Sequence, residues 1–508
     1  MLAVLLIGAL SLLVYAIIRY YTFTGRYPKG PLPLPFIGNL LEYEFKAPHK
    51  SLAKFGKENP PIYTVFTPIP FVQITDFALI REAFVDKGDD FAGRPTVKVL
   101  DDAIAFAPNA GVLSSSGDNW REQRRTSLMI LKDFGMGRNL MEEQVRSSIA
   151  NYIERLSNTA DKDHVDVGWP IQVMVANIIN ETLFGYRYTH DNCQPLLRFV
   201  EDTKKFIATS VFRESPLQFF ENLSDSKALF LGMMFPVLTK LPITKWHTSG
   251  RFKAAMGKIN EYIVDNVDRT LKEYDVENEP TCFVHAYKQR MEHNEFLDQT
   301  NLYACCSDFF LAGTETTATT LKWAMLIFAA HQEAQEKLRC EIHAVVGKDR
   351  PVAMADQTSV SNRFVFFKCH EKYMNFFRCP KLELASSRFN DSPTFWGYKI
   401  PKDTWINADI HYLMANDPVF VNPEEFRPER YLMEDGKTLR KDLVERTIPF
   451  SIGKRACTGE GLARVEIFIG IASTLQHFKI SPSPGMTADL IPETMRFPRQ
   501  QTLKIESV

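Results

Sequence analysis

Cys457 stands in a segment whose residue types suit metal chemistry: Pro449-Phe450-Ser451-Ile452-Gly453-Lys454-Arg455-Ala456-Cys457-Thr458-Gly459. A sulfur ligand must stay deprotonated and unoxidised. A cysteine at a helix start meets the first need, because unpaired backbone N–H groups and the helix dipole favour the anion. The apolar-periodic run Leu462–Phe478 predicts such a helix just after Cys457. Gly453 permits a tight turn with positive φ, and Gly459 lets the backbone approach a flat macrocycle such as haem. Arg455 supplies a cation for a propionate, and Phe450 shields the sulfur from water and oxidants. A turn followed by a buried helix would explain one cysteine near two glycines, but not the whole set.

A second constellation, Ala312-Gly313-Thr314-Glu315-Thr316-Thr317, lies inside a long apolar helix pattern. Five threonines between 314 and 320 are a poor choice for plain helix stability. An acid beside an alcohol, on a helix loosened by Gly313, can hold water and relay protons into a dry pocket. Alternatively the threonines bond back to helix carbonyls and Glu315 is solvated; these residues alone leave the two readings open. Trp120 and Arg124 are one helical turn apart and share a face, where both can donate to propionates. The competing reading is a surface basic turn, since Arg121 and Arg125 are also charged.

Phe450, Gly453, Arg455, Cys457 and Gly459 fill every fixed position of the cytochrome P-450 signature, and the chain resembles that family, closest to its microsomal drug- and lipid-oxidising branch. Trp120-x-x-x-Arg124 and Phe426-Arg427-Pro428-Glu429-Arg430-Tyr431 resemble two further family motifs, the second a structural meander. The resemblance implies haem b held by an axial thiolate from Cys457. It implies Trp120, Arg124 and Arg455 at the propionates, and Ala312 and Gly313 against the macrocycle. Thr316 would hydrogen-bond the bound oxygen, with Glu315 beside it in the relay. The implied activity is that of a monooxygenase that puts one atom of O2 into a hydrophobic organic molecule such as a xenobiotic, fatty acid or steroid-like compound. Electrons would come from NADPH through a cytochrome P-450 reductase, with a cytochrome b-type protein as a further donor. Phe309, Phe310, Leu311 and Ala312 suit an apolar substrate. The rival readings are a haem-binding relative with no turnover and an isomerase that rearranges peroxides; the Glu315-Thr316 pair speaks against the isomerase.

One stretch departs from the family. Where the family carries Glu-x-x-Arg, this chain has Glu371-Lys372-Tyr373-Met374, and Val360 to Trp396 shows no clean apolar stripe. A buried Glu371 without its arginine costs on the order of 3–5 kcal/mol. The competing readings are a decayed paralogue, and Arg378 or Arg388 reaching Glu371 from an irregular backbone; the abrupt loss of pattern favours a flawed translation across these codons, so the chain as written is expected to fold poorly and retain little haem.

The elements around these residues follow from periodicity. Helical patterns cover Arg121–Lys132, Gln144–Leu156, Val173–Leu183, Arg251–Glu273, Leu302–Ala330 and Gln332–Val346. Strand-like runs occur at Ile62–Val65, Pro70–Ile74, Thr394–Ile400 and Thr502–Ile505. The fold class is therefore mainly α with minor β, one large domain over residues 39–508. Residues 1–21 form a transmembrane signal anchor, since Met1 to Ile18 is uncharged and long enough to span. Arg19, Arg26 and Lys29 then set the domain on the cytosolic face of the endoplasmic reticulum. Residues 22–38 hold alternating prolines and read as a stiff extended linker. The apolar stretch Ala228–Leu241, broken by Pro236, reads as a loop dipping into the membrane surface. Sixty basic residues offset sixty-one acidic ones, so nothing in the charge suggests a nucleic-acid binder. Eight cysteines with no CxxC spacing fit reduced, cytosol-facing thiols.

Overall fold

A computed structural model of the chain describes residues 1–44, 48–67, 69–94, 106–134, 139–189, 192–209, 242–359, 385–386, 394–436, 438–485 and 502–508. Ala228–Leu241 and most of Val360–Trp396, including Glu371 and Met374, lie outside these described residues.

The longer helices, in chain order, are α1 (Leu2–Thr24), α2 (Pro48–Glu58), α3 (Gly117–Asp133), α4 (Asn139–Ser157), α5 (Gly168–Phe184), α6 (Gln194–Thr209), α7 (Pro242–Lys272), α8 (Phe283–Met291), α9 (Gln299–Ala330), α10 (Gln332–Val345) and α11 (Glu460–His477). The strands β1 (Ile62–Thr67), β2 (Ile69–Ile74), β7 (Trp405–Ala408) and β4 (Ala385–Ser386) form one sheet in that order; β1 and β2 are antiparallel, and β2 and β7 parallel. β3 (Val165–Asp166), β9 (Thr502–Ser507) and β8 (Phe478–Pro482) form a second, and β5 (Thr394–Phe395) pairs with β6 (Tyr398–Lys399).

α9 is the axis of the helical part. Its 32 residues span about 48 Å at helical rise. Asp298 caps its start by accepting from the Asn301 amide at 2.7 Å, which satisfies one of the orphan donors of the first turn. Gln335 closes its end: its amide donates to the carbonyls of Phe328 and Ile480, and its oxygen accepts from the Ile480 amide. α9 packs against α5, α7, α11 and β8, burying Trp323, Phe328, Ile327, Phe468 and Ile471 in one large apolar cluster. α4 shows the periodicity plainly. Val145, Ile149, Tyr152 and Leu156 are buried along one stripe that faces α5 and α11. A smaller cluster, with Val72, Ile74 and Ile406, lies under the first sheet.

The helix in α1 runs three residues past the expected anchor, with no buried residue. It is long and apolar enough to cross a membrane. The proline segment behind it is not a free spacer. Asn39 donates to the Pro31 carbonyl and accepts from the Phe66 amide, and Tyr27 packs edge-on to Phe66 with ring centres 5.6 Å apart. A Cβ on Gly30 would stand 2.2 Å from the Thr64 carbonyl oxygen, so this segment is seated on β1. The meander is knit by Arg430, buried at 6% exposure, which donates to the carbonyls of Val421, Asn422 and Glu425.

Candidate functional site

The segment before α11 folds into a narrow loop. The Cys457 amide donates to the Phe450 carbonyl at 2.9 Å, and the Ala456 amide to that of Gly453 at 3.1 Å. Gly453 has φ +82°, and a Cβ there would sit 1.8 Å from the Phe84 carbonyl oxygen; only glycine fits both the angle and the space. Gly459 caps α11. Cys457 therefore lies just ahead of the helix N-terminus, where the dipole favours an anion. Its side chain lines a cavity whose opposite wall is α9.

That wall is one helical face. Phe309, Ala312, Gly313, Thr316, Thr317 and Thr320 all line the cavity, at the three- and four-residue spacing of a stripe. Phe310 does not; it sits in an aromatic cluster with Phe184, Phe199 and Tyr262. The helix is continuous through Gly313, which corrects the expectation of a loosened helix there. The glycine serves packing instead: a Cβ would fall 2.5 Å from Ile179 Cδ1 on α5. The hydroxyls of Thr314, Thr316 and Thr320 donate to the carbonyls of Phe310, Ala312 and Thr316 at 2.6–2.8 Å. These are the bonds back to helix carbonyls that the sequence left open.

Glu315 is on the next face round. It is 7% exposed, so it is not solvated. It accepts from Gln172 Nε2 on α5 at 3.0 Å and from the Thr319 hydroxyl at 3.2 Å. Gln172 in turn accepts from Lys322 Nζ. An acid beside Thr316 is thus held by a polar chain that reaches the half-buried Lys322, but Glu315 is not among the residues that line the cavity.

Trp120 is buried at 4% exposure, and its Nε1–H has no acceptor among the described residues. The Arg455 guanidinium stacks 3.7 Å above the Trp120 ring. It donates to the carbonyls of Ala92, Val112 and Ser115. Arg124 donates to the Ala456 carbonyl at 2.6 Å; burial pulls its guanidinium below the ordinary value, with the nearby Cys457 acting in the opposite sense. Both arginines expected at propionates therefore also brace backbone around the cysteine. The Arg464 guanidinium covers the Phe450 ring at 4.9 Å.

Two residues escaped the sequence reading. Asp308 on α9 accepts from the amides of Val112 and Leu113 at 2.8 and 2.9 Å, fixing the loop that Arg455 grips from the other side. Burial pushes its carboxyl up to about 6. Glu466 on α11 lines the cavity, and burial pushes it up to about 8. The signal for both was a carboxylate in an otherwise apolar helix stripe.

The cytochrome P450 family model matches residues 28–361 and 388–505. The chain belongs to the cytochrome P450 family. It is 32% identical to cytochrome P450 2C3 of Oryctolagus cuniculus over 466 residues, 90% of this chain and 88% of that protein. It is 29% identical to cytochrome P450 2H2 of Gallus gallus over 94% of this chain and 92% of the relative. The match to the family leaves out residues 362–387, within the interval where the sequence loses the family pattern. Family membership makes this P450 a monooxygenase with a mainly helical fold. P450 proteins bind haem b through a cysteine thiolate and receive NADPH electrons by way of a redox partner. The residues around the cavity fit that group: a cysteine at a helix start, an orphaned buried Trp120 N–H, two arginines, and glycines at the closest backbone approaches. α1 fits a membrane anchor.

Proposed function

We propose that this P450 is anchored in the endoplasmic reticulum membrane with its domain facing the cytosol. Its reaction is the insertion of one oxygen atom into a hydrophobic molecule of xenobiotic, fatty-acid or steroid-like type. An NADPH-dependent cytochrome P450 reductase supplies the electrons, and a cytochrome b-type protein is a further donor. The observation that carries this reading is the position of Cys457, ahead of α11 and across the cavity from the Thr316 face of α9. Arg19, Arg26 and Lys29 after the apolar helix support the cytosolic orientation.

Haem held by the Cys457 thiolate would supply oxygen activation. The rest of the chemistry lies in this chain's side chains. Arg124 and the start of α11 place positive charge beside the Cys457 sulfur. Trp120, with Arg124 and Arg455, would hold the haem propionates. Phe309, Phe450, Ile179, Leu183 and Leu462 line the cavity with apolar surface, which selects a hydrophobic substrate and excludes water. The Thr316 hydroxyl donates into the cavity when it leaves the Ala312 carbonyl, and Glu315, held on the neighbouring helix face by Gln172 and Thr319, is the acid beside it in the chain.

Turnover with 18O2 tests the reading. Reconstituted with reductase, NADPH and a panel of apolar compounds, the protein should give product carrying one 18O atom. Binding of haem with no substrate-dependent NADPH consumption would favour the relative without turnover.

A further inference from the structure

The acid–alcohol pair leaves a gap. Glu315 is turned toward α5 and does not line the cavity, and the α9 residues that do line it are neutral. Across the cavity, on α11, stands Glu466. It is 1% exposed. Its Oε1 has no partner among the described residues, and the Thr317 hydroxyl is its hydrogen-bonding neighbour. Among the described residues, Glu466 and Cys457 are the two titratable side chains that line the cavity; those from α3, α5 and α9 are neutral. Burying a carboxylate whose one neighbour is a neutral hydroxyl is costly, so such a group keeps its proton instead. Burial, offset in part by Thr317, holds this carboxyl up to about 8.

We propose that Glu466 is a second proton-holding residue of this P450, reaching the cavity from the cysteine side. The inference rests on the monooxygenase reading. The carboxyl gives its proton to water in the cavity and takes one back across the Thr317 hydroxyl, so only O–H bonds are broken and made. Glu315 is held behind α9 by Gln172, whereas Glu466 faces the cavity from the front.

Infrared spectroscopy on the full-length haem-loaded protein reads the group directly. At pH 7.5 the protein should show the C=O stretch of a protonated carboxyl, shifted in D2O, which Glu466→Gln removes. The band should fade as pH rises through about 8. Asp308 and Asp409, the other buried carboxyls pushed upward among the described residues, sit at about 6 and are mostly ionised at that pH. In turnover, Glu466→Gln should send about threefold more of the NADPH electrons to hydrogen peroxide, a partial loss well below the roughly 10²–10⁴-fold of a sole general acid. The variant should also lose the pH dependence of coupling near 8 while keeping a thiolate-type carbon monoxide spectrum. Should the glutamine variant fail to fold, Thr317→Val provides the check: removing the hydroxyl that lowers the carboxyl should make the band persist to higher pH. The proposal is overturned if the unaltered protein lacks the band, if Glu466→Gln retains it, or if coupling and its pH profile do not change. A band together with no substrate-dependent NADPH oxidation in the unaltered protein would sink the monooxygenase reading and the catalytic use of the proton, leaving only the proton-holding carboxyl.

Discussion

Burial pushes the thiols of Cys282, Cys305 and Cys306 upward, Cys282 to about 11, and thiols held in that way are inert. Cys457 differs in lying beside Arg124, at a helix start, on a cavity wall. Thr316 is the corresponding choice on the other wall. Thr316→Ala should leave haem binding intact and lower product formed per NADPH by about tenfold, with hydrogen peroxide making up the difference. An unchanged ratio would return the threonines to a structural role. Glu466 makes a prediction about stability that needs no turnover. Its folded carboxyl, at about 8, lies above the ordinary glutamate value, so the folded protein binds more protons than the unfolded chain in between. Stability therefore falls as pH rises through that window. Asp308 and Asp409, at about 6, act mainly on its lower part. Between about pH 6 and 8 the loss should approach 2–3 kcal/mol. Urea unfolding should show this slope, and Glu466→Gln should flatten it.

At the scale of elements, the loop before α11 holds the site together. Gly453→Ala would force a side chain against the Phe84 carbonyl at a positive φ. It should cost about 2–4 kcal/mol, read as lower thermal stability and lower haem content, whereas normal haem content would mean that the loop is not what seats the group. The helices around this loop were largely legible. Leu302–Ala330 anticipated α9 and Leu462–Phe478 anticipated α11, because long apolar stripes leave few alternatives. α2, α6 and α8 were missed. α8 is short, and α2 and α6 carry mixed polar and apolar residues whose burial is decided by neighbours distant in sequence. The site was legible where the type of a residue dictates what it can do. Cys457, Gly453 and Thr316 sit on the cavity or its loop as spacing implied. Orientation was not legible. Glu315 is adjacent to Thr316 in sequence yet points to Gln172 on α5, and Arg455 spends donors on three carbonyls that only the folded loop brings near.

At the scale of the molecule, α1 and the domain have separate roles. No residue of α1 is buried, and its ring contacts with the domain are those of Phe23 at its end with Tyr27 and Phe66, so removing residues 1–24 should leave the domain folded and able to bind haem. Leu32, Phe36 and Leu41 remain exposed beside it, at 71%, 69% and 70%, and should keep weak binding to liposomes in flotation; an unfolded product would mean that α1 supports the domain. The basic residues that could steer a redox partner are largely engaged. Arg430 is buried in the meander, Arg125 pairs with Glu122 and Lys454 with Asp89. The central claim is that Cys457 provides the thiolate. The carbon monoxide difference spectrum of the reduced, full-length protein measures this most directly. The unaltered protein should give the red-shifted Soret band of thiolate-ligated haem, and Cys457→Ser should abolish it, since a neutral hydroxyl is a poor replacement for a soft anion. A thiolate-type band that survives Cys457→Ser would contradict the account and assign the ligand to another cysteine.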